Sequence, residues 1–115
     1  DIHTNITRII GAGNKWLKGS KADIAAQTWW HASGSRDGRW VTADNWHGHI
    51  AIIDARTSHL RYLAKDHRTY GRGDHPHVGW APDSKSVEFT STKRGNSDVC
   101  IAYLPAEWDD PFVKE

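Results

Sequence analysis

The chain repeats itself at a fixed interval, and an internal repeat restricts a fold more tightly than composition does. When HASGSRDGRWV (residues 31–41) is set above HVGWAPDSKSV (residues 77–87), every position stands 46 residues from its counterpart. His31 pairs with His77, Asp37 with Asp83, Gly38 with Ser84, Arg39 with Lys85 and Val41 with Val87. After a short length change at Gly48 and Gly95, the segment His49–Asp54 answers Asp98–Tyr103. A period in the forties built from short strands is the mark of β-propeller blades. The expected fold class is therefore all-β: a propeller fragment of about two and a half four-stranded antiparallel blades.

Turn chemistry supplies the strand limits. Arg36–Arg39 and Pro82–Lys85 are tight-turn sequences joining first to second strands. Second strands are expected at Trp40–Asp44 and Ser86–Ser91, and third strands at His49–Asp54 and Val99–Leu104. Hairpin loops fall at Asn45–Gly48 and Thr92–Asn96. Ser58–Ala64 completes the first copy, whereas Pro105 and Pro111 interrupt any fourth strand in the second. Residues 1–30 read as outer strands of a preceding blade (Thr4–Ile10 and Ala22–Trp30), with a short helix at Lys21–Ala26 as the alternative. Residues 31–74 then form one blade, and residues 75–115 the final blade with a closing tail. So few blades cannot close a ring, and open sheet edges are a liability, so either the remaining blades come from another chain or another part of a cut precursor, or the fold is not a propeller. The opening Asp1-Ile2-His3, with neither initiator methionine nor signal-peptide layout, fits a clipped or processed chain.

Composition excludes several partners. Fifteen basic and fourteen acidic residues leave a net charge of +1, without the basic face that nucleic acid requires. No apolar run reaches the roughly eighteen residues of a membrane span. The single Cys100 rules out an internal disulfide framework and is expected as an inert thiol in an apolar run. Seven tryptophans suit an all-β fold and say little about ligands.

Among the eight histidines, His31, His75 and His77 form the informative set. Equivalent positions of consecutive blades meet at one end of the axis, which brings His31 beside His77. On an extended segment, His75 shares the face of His77, with Pro76 stiffening the backbone between them. Three converging imidazoles suit a borderline divalent ion such as Mn²⁺ or Zn²⁺; the alternative is that they are ordinary blade-start residues capping hairpins. His47 and His49 are expected in an exposed loop at the opposite end of the strand from His31, and His59 and His67 on the surface. Lys65, Arg68 and Arg72 precede the His-Pro-His segment; Arg72 is the candidate for a bidentate grip on a ligand carboxylate. Of the neighbouring Trp29 and Trp30, one is expected in the core and the other, Trp30, against a sugar ring.

HASGSRDGRWVTAD together with HPHVGWAPDSKSVEFTS resembles the last blades of oligogalacturonate lyase and its relatives, within the propellers that carry TolB-like repeats. The resemblance covers roughly residues 27–104; the S-x-D-G turn is generic, whereas His-Pro-His one blade after a lone His is far more specific. It implies a seven-bladed propeller that cleaves uronate oligosaccharides by β-elimination, with manganese held by histidines and a glutamine. The implied metal ligands are His31, His75 and His77. Arg72 stands where the family has its glutamine, which leaves the fourth ligand and the choice among Mn²⁺, Zn²⁺ and Ca²⁺ open. The implied partner is an acidic oligo- or polysaccharide, with Arg72 and Trp30 as substrate contacts. The proton-abstracting base lies by the resemblance on earlier blades, so this chain alone is expected to bind without turnover. Two other readings remain: an ulvan lyase-type propeller with a structural zinc site, and a non-catalytic TolB-like binding module. The first family points to a bacterial cytoplasm or periplasm, the ulvan type to secretion.

Overall fold

A computed structural model describes residues 3–10, 29–68 and 74–109. They form two antiparallel sheets in chain order. The first contains β1 (Trp29–Gly34), β2 (Trp40–Asn45), β3 (Ile50–Asp54) and β4 (Leu60–Ala64), and the second contains β5 (Gly79–Trp80), β6 (Ser86–Ser91) and β7 (Asp98–Tyr103). Each strand pairs with its sequence neighbour, as in two consecutive blades. β2 and β6 occupy the 46-residue offset at both ends. A 3₁₀-helix, Ala106–Asp109, stands where a fourth strand of the second blade would begin.

Both blades use one turn. In the first, the Ser35 amide donates to the Trp40 carbonyl and the Arg39 amide to Asp37 Oδ1; in the second, Ala81 and Lys85 make the matching bonds to Ser86 and Asp83. The left-handed position falls to Gly38 (φ +73°) and to its repeat partner Ser84 (φ +58°). The residue pairing read from the sequence is thus also a pairing of backbone conformations.

Alternation sets which side chains meet between the blades. Trp40, Ile50 and Ile52 from the first blade and Val78, Val87 and Phe89 from the second make one buried cluster. Trp80 ties the blades further by donating its indole N–H to the Ser33 carbonyl at 3.0 Å. Trp108 of the 3₁₀-helix packs against the same cluster, with the Arg61 guanidinium over its ring. On the far face of β7, Val99, Ile101 and Tyr103 remain 60–81 % exposed, while Cys100, half-buried, turns toward the core.

Three expectations need correction. Residues 3–10, expected to hold a strand, are turn and irregular chain. Trp29 and Trp30 lie in β1, where Trp29 pairs with Asn45 of β2, so they belong to the first blade and not to a preceding one; residues 11–28 lie outside those described. The 45–49 hairpin is not opposite His31: Trp29 pairs with Asn45, so it shares that end of the sheet.

That hairpin rests on the chain that follows β4. Gly48, at φ +73°, receives the His67 amide on its carbonyl, and a Cβ there would meet the Arg68 backbone nitrogen and approach the His67 carbonyl carbon to 2.8 Å. Gly48→Ala is expected to cost more than the ~1–2 kcal/mol of left-handed strain alone, because the neighbouring backbone must also move. Urea unfolding measures it; a loss below about 0.5 kcal/mol, the range of a neutral surface change, would show that this contact does not form in solution.

Candidate metal centre

A defect in strand pairing creates the site. β1 steps from Trp29↔Asn45 to Ala32↔Ala43, so one extra residue is accommodated at Trp30–His31, opposite Asp44. Such bulges re-aim side chains and are frequent beside functional sites. Asp44 lies on the face of β2 turned to the second blade and is fully buried. Its carboxylate accepts the His31 amide (2.9 Å), the His31 Nδ1–H (2.9 Å to the nearer oxygen) and the His77 amide (2.9 Å).

His77 reaches Asp44 through an unusual backbone. Its φ is +48°, a left-handed conformation that non-glycine residues adopt sparingly. Pro76 beside it is buried, and its carbonyl accepts the Thr90 amide at 2.7 Å. His75 and His77 therefore do not converge by strand alternation, as expected from the sequence, but through this kink.

The three imidazoles come together as expected. Ring centroids lie 3.9 Å apart for His31–His77, 5.3 Å for His75–His77 and 5.5 Å for His31–His75. One nitrogen from each falls within 4.8 Å of the others, and no second such group of three forms among the described residues. Two nitrogens on one ion at about 2.0–2.2 Å stand at most about 4.4 Å apart, so the three rings must draw closer together to close on a cation. Among the described residues, Nδ1 of His75 is buried and has no hydrogen-bond partner. Loss of water around the ring, then the charge of Arg68 and the two neighbouring imidazoles, pushes His75 below its ordinary value of 6.5, against the pull of Asp44. The neutral form, which ligates metal, is thereby favoured. The donor set fits a borderline divalent ion and is poorly matched to Ca²⁺, which takes oxygen ligands.

The rim is aromatic and cationic. Trp30 stands edge-on to His75 (4.4 Å) and to Trp46 (4.2 Å). The Arg68 guanidinium lies 5.1 Å from the Trp30 ring centre and 4.3 Å from that of Trp46, and donates to the Trp46 carbonyl. One face of Trp30, expected against a sugar, is thus covered by Arg68. Arg72, expected to hold a carboxylate, lies outside the described residues, and Arg68 is the arginine placed beside the triad.

The fold around this triad has a match among solved structures. The chain is similar to an oligogalacturonate lyase in complex with manganese, with a TM-score of 0.64 and 21 % identity over 72 % of this chain. The likeness is one of fold. It places the two sheets as blades of a β-propeller, and the chain spans about a quarter, 25 %, of that protein's length. No family model matches the chain, and no curated protein matches it either.

Other histidines depart from expectation. His49 is half-buried, with Nδ1 accepting the Asp66 amide at 3.0 Å. His67, expected on the surface, bonds through Nδ1 to Ser91 Oγ (2.9 Å) and through its carbonyl to the Thr92 amide, bridging the blades. Burial is the main cause holding both below 6.5. His59 is exposed, as expected. Asp44 is the site residue that sequence reasoning missed. The available signal was a carboxylate at an inward position of a second strand, level with His31.

Proposed function

We propose that this chain carries the divalent-metal centre of a polysaccharide lyase that cleaves uronate-containing glycans by β-elimination, with manganese as the favoured ion. One observation carries the reading: three imidazoles from two adjacent blades converge within 4.8 Å, one of them with an unsatisfied buried nitrogen. The fold likeness to a manganese-bound oligogalacturonate lyase supports it.

His31, His75 and His77 would hold the ion, which supplies Lewis-acid stabilisation of the charge that builds on a uronate carboxylate as the C5 proton leaves. The chain's own side chains do the rest of the positioning. Arg68 adds positive charge beside the triad and draws an anionic sugar toward it. Trp30 and Trp46 wall that side. The base that takes the proton belongs, on this reading, to other blades. Those blades, from another chain or another part of a precursor, would cover the apolar face of Val99, Ile101 and Tyr103.

Calorimetry of the chain with trigalacturonate and with ulvan oligomers, with Mn²⁺ or with EDTA, tests this. Mn²⁺-dependent binding of trigalacturonate is expected, together with an unsaturated uronate product once the ring is complete. Preference for ulvan would move the substrate, and metal-independent or absent binding of both glycans would leave a non-catalytic module.

A further inference from the structure

We propose that Asp44 is the positioning residue of this metal centre, fixing His31 as the Nδ1–H tautomer with Nε2 turned to the ion and holding the His77 backbone in its left-handed kink. The inference deepens the proposed function and rests on its metal reading, not on the lyase reaction.

The contacts on Asp44 are unlike those of an ordinary strand residue. A carboxylate that is 0 % exposed is costly unless several donors compensate it. Here three do so, two of them backbone amides from different blades and the third an imidazole. Because a carboxylate only accepts, the His31 nitrogen facing it must carry the proton, and the bare lone pair falls on Nε2. A carboxylate behind a ligating imidazole fixes ring orientation and raises ligand basicity. The same side chain meets the cost of His77. A left-handed non-glycine residue persists only where its surroundings over-determine it, and the His77 amide is pinned to Asp44 at 2.9 Å.

The repeat provides an internal control. The residue 46 positions on from Asp44 is Thr90, and its blade forms the same second strand without a carboxylate, the Thr90 amide bonding to Pro76. Building a blade does not require an acid at this position. Pairing His31 with His77 does.

Asparagine is isosteric but presents an amide NH2 where one oxygen stood, so it opposes donor to donor at either His31 or His77. The test uses the whole chain labelled with ¹⁵N-histidine, without metal, read by long-range ¹H–¹⁵N correlation at neutral pH. In the wild type, His31 is expected to carry its proton on Nδ1, and added Zn²⁺ should shift the Nε2 resonance. In Asp44→Asn the tautomer preference should vanish and the Zn²⁺ dissociation constant should rise about 10–100-fold, as for other outer-shell partners. The wild-type tautomer is read before any variant is made, so a misfolded Asp44→Asn does not block the test. A proton on Nε2 in the metal-free wild type, no response of Nε2 to Zn²⁺, or a folded Asp44→Asn within about threefold of wild-type affinity overturns the proposal. A chain that shows the expected tautomer and Zn²⁺ response but gives no uronate binding supports the positioning role while the lyase reading falls.

Discussion

His75→Ala is expected to weaken Zn²⁺ or Mn²⁺ binding by at least about 100-fold, more than the loss of an outer-shell partner, while leaving the fold nearly as stable as before. The asymmetry follows from what each histidine does besides ligation. Removing the His31 ring takes one of three donors from the buried Asp44 carboxylate, and alanine at position 77 inherits a φ of +48°. Either change mixes folding with binding. Among the described residues His75 Nδ1 has no partner to lose, so its removal deletes one imidazole of the triad and breaks no hydrogen bond seen on that nitrogen. Competition with a fluorescent chelator measures affinity, and thermal unfolding with and without metal provides a second reading. An ion that binds only the folded chain raises the midpoint of the wild type, and EDTA reverses the rise. In His75→Ala the metal-induced rise should disappear while the midpoint in EDTA stays put. Equal metal-induced shifts in both proteins would remove His75 from the centre.

The contrast between His31 and His77 also explains what the sequence did and did not reveal. The 46-residue offset located β6 to the residue and β2 to within one, because turn chemistry and strand alternation are local and both copies express them. It also paired Gly38 with Ser84, which share a left-handed φ. The convergence of the histidines was legible because equivalent positions of adjacent blades meet. How they converge was not. The bulge at Trp30–His31 and the kink at His77 each bring a backbone amide onto Asp44, for His77 across 33 positions that no local pattern connects. The end of the sheet that carries the 45–49 hairpin follows from strand direction alone, which puts that hairpin at the Trp29 end of β1. His67 illustrates the opposite limit. A histidine in a polar loop is indistinguishable in sequence from a solvated one until a second blade places Ser91 against it.

Ile52→Ala should produce the largest loss of stability, roughly 2–5 kcal/mol, the range for a buried large aliphatic cut back to alanine. Ile52 is 1 % exposed and sits in the cluster of Trp40, Ile50, Val78, Val87 and Phe89 that joins the two blades. The loss combines apolar transfer with a cavity that two rigid sheets cannot collapse around. Urea midpoints at unchanged slope would establish it as a stability change. The consequence reaches the metal centre, because His31 hangs on the first blade and His75 and His77 lead into the second. The shared core holds the two blades at the separation the triad needs, so metal affinity should fall with stability in this variant although residue 52 touches no ligand. Ile101→Ala supplies the control. Ile101 is equally aliphatic but 60 % exposed on the outer face of β7, where a substitution is expected to change stability by no more than about 0.5 kcal/mol. A cost for Ile101→Ala approaching that of Ile52→Ala would mean that the face of Val99, Ile101 and Tyr103 is covered in solution, the result expected if further blades pack there.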